Sequence, residues 1–569
     1  MRALPIVRPI VVSGILMSGF SNCPAAVKLL TGDANNQVHN SSATVVDLSS
    51  DGDLVLFATS PPVVGTTPGI TKGGLYVRKI STNTLTYVDD EAVPGTGDAS
   101  FSDNGRYITF RDTSGMIYWR DSVADDTRLI TPAADGQSKR PVMSADGRYV
   151  AYSSVARNIV SNTTKLQPAG HPGVYLYDSV TRTTTVVSLT SSGAALNTGL
   201  GGNSSVASAF NEFDLSADGK YIVFSTDATN AHADRTSNYP AGFLCVYRRN
   251  LGTGAMVLLN KTKSGSVADG NFSMPRVSAN GARVSFMGGF VGTFKGVRLI
   301  DSVNNAFGSD MYAKDAGTGE LWWVSKTTDK SNPDGVFNLA NAISGDGETV
   351  CFASSGTKFV TENTDPQAGS AGTFDIFRSD LGDSGNVTVT LATKSPNNSG
   401  NVDYFAGPLL PGNGDYTAFS TYQVAAMQGT GNTDTSNFQG FGVSGPVIPA
   451  KPEISVQQPA GSELTDGGAK KSFGTVTVGK QGTAKTFTIR NAGKATLKNL
   501  AVSKTGADKA DFIVGKLSAS SLAPGATAKF SVTFKPKAKG ARKAAIKIAS
   551  NDADENPFDI KLAGQGKAP

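Results

Sequence analysis

Three observations predict an all-β chain, a seven-bladed β-propeller followed by an immunoglobulin-like β-sandwich. Composition is the first: 64 glycines in 569 residues, with only 17% charged residues, fit many strands joined by turns. The second is a short phrase, clearest at Leu215-Ser216-Ala217-Asp218-Gly219-Lys220-Tyr221-Ile222-Val223-Phe224-Ser225, that returns through the first three quarters of the sequence. Beyond a Pro-rich stretch near residue 450, Lys-rich short strands replace that phrase, which marks a second domain.

The copies align on Gly52, Gly105, Gly147, Gly219, Gly281, Gly347 and Gly414, each preceded by Asp or Asn. Asp-Gly and Asn-Gly favour a tight hairpin turn, because both residues tolerate positive φ. A serine stands three residues before the glycine in every copy but the last, which has Pro411, and its hydroxyl is placed to bond the turn backbone. Three residues after the glycine comes Val55, Ile108, Val150, Ile222, Val284, Val350 or Thr417, and five after it always an aromatic residue, such as Phe57, Tyr152 or Phe419. The position between them is mostly small, as at Ala151, Ser285 and Ala418, so a second sheet can approach that face.

A second hairpin lies between copies, at Leu75-Tyr76-Val77-Arg78, Ile117-Tyr118-Trp119-Arg120-Asp121, Val174-Tyr175-Leu176-Tyr177-Asp178, Leu244-Cys245-Val246-Tyr247-Arg248, Met311-Tyr312-Ala313-Lys314-Asp315 and Asp375-Ile376-Phe377-Arg378. Two hairpins per repeat make a four-stranded blade. The glycines stand 42 to 72 residues apart, a propeller period with insertions assigned to surface loops.

This phrase, followed by Tyr-x-Tyr-Asp, resembles the WD40-like propeller repeats, often called PD40, of the TolB family, over residues 26–445. The resemblance implies the propeller fold and leaves the ligand open, since such propellers host binding, scaffolding and enzymatic roles.

At the start of the chain, Arg2 and Arg8 precede an apolar stretch from Ile10 to Phe20, and Ala25 and Ala26 follow, so residues 1–25 read as an export signal. The alternative for residues 10–20 is a buried strand. Phe20-Ser21-Asn22-Cys23 matches a lipoprotein signal poorly, because Asn22 occupies a position that is normally small. Cys245 and Cys351 sit in strand patterns and read as buried thiols; a disulfide between them is not implied. Val27-Lys28-Leu29-Leu30 resembles the end of each second hairpin, whereas the seventh copy lacks a clear one. An N-terminal strand is therefore expected to complete the last blade.

Residues 446–452 form a stiff Pro-rich linker. Strands then read at 454–456, 471–476, 485–490, 497–502, 512–514, 528–534, 543–549 and 558–562, the spacing of an immunoglobulin-like sandwich over 453–569. Phe473-Gly474-Thr475-Val476, Thr486 through Gly493, Leu522-Ala523-Pro524-Gly525, Phe530 through Pro536 and Ser550-Asn551-Asp552 resemble the ASPM, SPD-2, Hydin (ASH) domain and its bacterial relative, the choice-of-anchor D domain. That relative implies a surface or secreted protein. The sequence ends at Gly566-Lys567-Ala568-Pro569 without a sorting motif.

Charge is uneven: from Lys451 onward 20 Lys and Arg face 9 Asp and Glu, a net of +11, against −6 for the first 450 residues. Lys dominates, which suits diffuse attraction to anionic polymers or surfaces; without aromatic or Arg-rich reading motifs, a solvated surface is favoured over a specific nucleic-acid interface. No run approaches a transmembrane helix in the mature chain.

His39, His171 and His232 lack metal-ligand spacing. Nucleophile-elbow and phosphate-loop motifs are absent from the sequence. The acidic run Asp552, Asp554, Glu555 and Asp559 departs from a calcium-loop pattern and reads as a strand-connecting turn. Trp322-Trp323 with Tyr312 offers an aromatic platform, with packing inside a blade the simpler use. No catalytic, cofactor-binding or metal-ligating residue is assigned, and no cofactor is expected.

The expected role is a non-catalytic binding or scaffold protein of the bacterial cell surface, periplasm or exterior, monomeric, with a protein or polysaccharide as partner. Loops at 61–72, 229–239 and 359–372 would supply the recognition surface. Two alternatives stay open: a glycosidase or lyase acting in the propeller funnel, and a TolB-like component of an envelope complex.

Overall fold

The computed structural model describes residues 27–569, apart from 38–41, 61–69, 71–72, 90–97, 132–134, 202–211, 236–241, 290–298, 301–308, 328–337, 357–358, 361–373, 383–384, 394–405, 422–438, 445–451, 460–463, 465, 492, 494, 524–525 and 553–554. The export signal, Cys23, His39, most of the three candidate loops and nearly all of the linker lie outside the described residues. Two compact units divide the chain, Met1–Gly445 and Pro446–Pro569. Regular structure is almost wholly strand, with 3-10 turns at Thr163–Lys165 and Lys509–Asp511.

Among the described residues, the first unit holds seven four-stranded antiparallel sheets, and it is a β-propeller. Their first strands are Ala43–Leu48, Ala99–Phe101, Ser138–Met143, Phe213–Leu215, Asn271–Val277, Asn338–Ile343 and Ala406–Leu409. Each touches the first strand of the next sheet, and the last touches the first, so these strands surround a common axis. The repeated phrase supplies the turn out of each of them and the strand that follows.

That turn differs from the expectation that both central residues turn left-handed. In each copy only the glycine has positive φ, between 66° and 76°, while the Asp or Asn before it does not. Gly147 N–H donates to Ser144 O at 2.9 Å, closing a β-turn that ends in the left-handed glycine. The serine does the expected work: Ser144 Oγ donates to Asp146 Oδ1 at 2.6 Å and accepts from Tyr149 N at 2.9 Å, and Ser49, Ser102, Ser216, Ser278 and Ser344 repeat the pattern.

Successive turns also bond one another. Asp103 N donates to Ala145 O, Ala145 N to Ala217 O, Asp218 N to Ala279 O and Ala279 N to Gly345 O, while Asn413 N reaches Ser50 O and Ser50 bonds the Asp103 carboxylate. The recurring phrase thereby forms a belt at one end of the axis.

Within blades, the aromatic residue five places after the glycine meets the tyrosine or phenylalanine of the third strand. Ring centroids lie 5.7 Å apart for Phe57–Tyr76, 5.7 Å for Tyr152–Tyr175, 5.8 Å for Phe224–Tyr247 and 5.5 Å for Phe352–Phe377. On the other face, Ala151, Ser285, Cys351 and Ala418 are fully buried against neighbouring blades. The last blade closes as expected: Val27–Leu29 pairs antiparallel with Gln439–Ser444, Val27 opposite Val443 and Leu29 opposite Phe441. Thr31 Oγ1 donates to Gln439 Oε1 at 2.8 Å, and Gly440 N to Thr31 Oγ1 at 2.9 Å, fastening the junction.

The second unit is an immunoglobulin-like sandwich. One sheet orders Ile454–Gln457, Lys485–Asn491, Thr527–Phe534 and Phe512–Val514; the other orders Lys470–Thr477, Phe558–Lys567, Gly540–Ala549 and Ala501–Thr505, with its first two strands parallel. Phe487, Phe530, Ile546, Ile548, Phe558 and Ile560 fill the space between. One expected strand is displaced, from 497–502 to Ala501–Thr505. Leu497 makes only an isolated bridge to Leu522, and Asn499 is left-handed with φ 60°, so the ladder starts after it.

Candidate functional site at the propeller axis

Counting back from each turn glycine locates the axis. Five residues before it stand Asp47, Asp214 and Arg276; seven before it stand Asp98, Arg140 and Glu212. All six belong to, or immediately precede, first strands, so the fold gathers four carboxylates and two guanidiniums from the first five blades around one axis. None was assigned from sequence. Register on the glycines was the signal that would have found them.

The carboxylates are bound to the main chain of the following blade. Asp47 Oδ2 accepts from Phe101 N at 3.1 Å and from Ser100 Oγ at 2.7 Å, and Asp214 Oδ2 accepts from Val277 N at 3.1 Å. Asp98 Oδ1 accepts from Arg140 N at 3.0 Å, and Glu212 Oε2 from Met274 N at 2.8 Å. Both of these donors belong to left-handed residues, φ 52° at Arg140 and 51° at Met274, inside β-bulges of their strands. A bulge leaves an N–H outside the ladder, and the preceding blade's carboxylate takes it up. Ser225 Oγ also donates to Glu212, and Arg111 pairs with Asp98 at 3.2 Å.

Burial dominates the electrostatics. It pushes the Asp47 carboxyl up to about 6 against the hydrogen bond from Ser100, with Asp214 adding repulsion, and it raises Glu212 as well. Arg140 is pushed down to about 9 by burial and then by Arg276, while Glu212, Asp214 and Asp98 oppose the shift. Arg140 lies over the Phe213 ring at 5.5 Å. The two arginines thus neutralise carboxylates whose lone pairs already hold the blades together.

Other sequence candidates resolve into structural roles. Trp322 and Trp323 are buried, their Nε1 groups donating to Gly382 O at 2.7 Å and Asp310 Oδ1 at 3.0 Å, so they pack within the sheets. Cys245 and Cys351 are buried and unpaired with one another, and burial drives the Cys351 thiol up to about 12. His232 Nδ1 accepts from Asp234 N, and His171 lies in a turn.

The expected acidic run is split. Asp559 pairs with Lys547 at 2.8 Å, whereas Asp552 and Glu555 gather with Glu453 within 4.8 Å, and Asp552 Oδ2 accepts from Ile454 N at 2.7 Å. Asp554 lies outside the described residues.

A groove of about 1430 Å³ between the fourth and fifth blades is lined by Leu259, Lys261, Lys314, Trp323 and Lys326. Burial and the neighbouring Lys261 push the Lys314 ammonium down to about 8, and it donates to Lys261 O. Arg78 and Arg249 hold the same place in their blades, two residues beyond the stacked tyrosine, and likewise donate to carbonyls of the preceding blade, Leu29 O and Thr190 O. Lys314 is therefore an inter-blade clasp.

Fold and axis together define the class, a β-propeller followed by an immunoglobulin-like module. Within that module, residues 466–556 match the family described as Abnormal spindle-like microcephaly-assoc'd, ASPM-SPD-2-Hydin, so it is an ASH domain. No curated protein is similar to the chain in sequence. Among solved structures, an oligogalacturonate lyase in complex with manganese is similar over 74% of this chain and 97% of its own, at 11% identity and TM-score 0.43. For oligogalacturonate lyase from Vibrio parahaemolyticus the figures are 75%, 95%, 10% and 0.42. The ASH / PapD-like domain of human CEP192 is similar over 22% of this chain and 96% of its own, at 17% identity and TM-score 0.16. No helix among the described residues is long and apolar enough to cross a membrane.

Proposed function

We propose that the chain is a non-catalytic binding or scaffold protein acting at the bacterial cell surface, in the periplasm or outside the cell. The propeller is its recognition surface, and the ASH domain a spacer or contact module. One observation carries this reading. Asp47, Asp98, Glu212 and Asp214, the acidic residues in or immediately before the first strands among the described residues, each accept a main-chain N–H from the next blade. An acid or base catalyst must present an oxygen to substrate, and in each of these at least one oxygen is engaged in joining blades. Export rests on Arg2, Arg8 and the apolar stretch that follows them.

The same gathering of charge supports the second reading, a glycosidase or lyase working at the axis. Equilibrium binding of the full chain to purified cell-surface polysaccharides and proteins of its host, followed by sizing of the polymer, separates the two. Binding with polymer length unchanged is expected. Shortening of the polymer, abolished by Glu212→Gln or Asp214→Asn in chains that stay folded, would establish the enzyme instead.

A further inference from the structure

The outer face of one ASH sheet carries lysines in a register that asks for a partner. Core residues Ala544, Ile546, Ile548, Ile560 and Leu562 alternate with outward ones along the two central strands, Gly540–Ala549 and Phe558–Lys567. Lys543, Lys547 and Lys561 point outward, and Lys470 joins them from the adjoining edge strand. Lys470 and Lys561 are direct partners across the parallel pair, both exposed, on strands about 4.8 Å apart. Like charges so placed repel, and nothing in the core requires them.

Around the lysines the face is small and flat, with Ala541, Ala545, Ala563, Ser472 and Ser503 in register between them. Asp559 is the acidic residue on its strands among the described positions, and Lys547 already holds it, while Asp466 and Asp508 at its edges accept from the main-chain N–H groups of Asp559 and Lys543. Lysine on an edge strand guards against unwanted strand pairing, which accounts for Lys470. Lys561 lies on a central strand, where that protection has no use, and Lys543 stands on the other central strand just past Ala545, where its ladder with Ala501–Thr505 ends.

We infer that this face docks a linear anionic polysaccharide, its acidic groups bridging Lys470, Lys543 and Lys561. Lys543 and Lys547 are four residues apart, about 13 Å along the strand, which suits charges repeated along a polymer rather than one compact anion. Aromatic and arginine side chains are missing from the face as described, so base stacking and bidentate phosphate contacts have no donors there. Large apolar side chains, which a membrane surface would need for insertion, are missing too. The inference goes beyond the proposed function and holds whatever the propeller recognises.

The test uses the full chain at low ionic strength, with alginate as the probe and duplex DNA and phosphatidylglycerol vesicles as competing ligands. Replacing Lys470, Lys543 and Lys561 together by Gln should weaken alginate binding by roughly tenfold or more and flatten its salt dependence. A control with the same charge change, Lys498, Lys516 and Lys529 to Gln, removes exposed lysines off this face and should leave binding within about twofold. All six positions are exposed, so unchanged thermal midpoints show that folding is intact. Equal losses in both variants, no alginate binding by the parent chain, or tighter binding to DNA or vesicles than to alginate would each overturn it.

Discussion

Asp47 shows how a residue inside the ring serves the fold against its own ionisation. Its carboxylate takes three hydrogen bonds, from Leu48 N, Ser100 Oγ and Phe101 N, yet burial still lifts it from 3.8 to about 6. The folded chain therefore holds that proton more tightly than the unfolded chain does. Stabilisation from this group is complete below about pH 3.8 and is lost as pH rises through about 6. Asp310, buried under Trp323 and Ser325 and also raised to about 6, acts in the same direction. Asp47→Asn removes one of these titrations, so the fall in stability between about pH 4 and pH 6.5 should shrink by up to about 2 kcal/mol. Urea midpoints measured across that range would contradict the raised carboxyl if mutant and parent curves ran parallel. Sequence alone displays Asp47 as one acid among many, because its environment is assembled from blades far apart along the chain.

At the scale of the element, the Ser-x-Asp-Gly turn was legible in nearly all its parts. Its serine hydrogen bonds, its left-handed glycine and the aromatic strand that follows are local features, decided by neighbours within a few residues. The contact beneath the glycine was not legible. A Cβ on Gly147 would lie 2.1 Å from the Tyr107 ring of the preceding blade, whereas on Gly414 it would meet nothing nearer than 3.3 Å. Both have similar φ, 76° and 66°. Gly147→Ala should accordingly destabilise by about 3 kcal/mol or more, from left-handed strain plus overpacking, and Gly414→Ala by about 1–2 kcal/mol. Equal losses in urea unfolding would mean that backbone strain alone sets the requirement. The expected strand at 497–502 failed for a related reason: its apolar pattern is sound, but Leu497 turns to Leu522 before the ladder begins.

For the whole molecule, closure of the ring is the decisive contact, and it joins residues about 410 positions apart, as from Thr31 to Gln439. Arg78 reinforces it by donating to Leu29 O at 2.8 Å. Removing the chain through Thr31 should leave the last blade three-stranded, cost several kcal/mol and strip exchange protection from the amides of Gln439–Ser444. Protection unchanged in the truncated chain would show that the other strands hold that blade without Val27–Leu29. By itself the sequence determined the strands, the turns, the repeat and the break near residue 450, since each follows from periodicity and turn chemistry over a short span. Only the tertiary structure decided which side chains meet at the axis, that its carboxylates are used to join blades, and that lysines scattered over ninety residues share one sheet face. Those pairings depend on register between strands distant in sequence, and local pattern carries no information about that register.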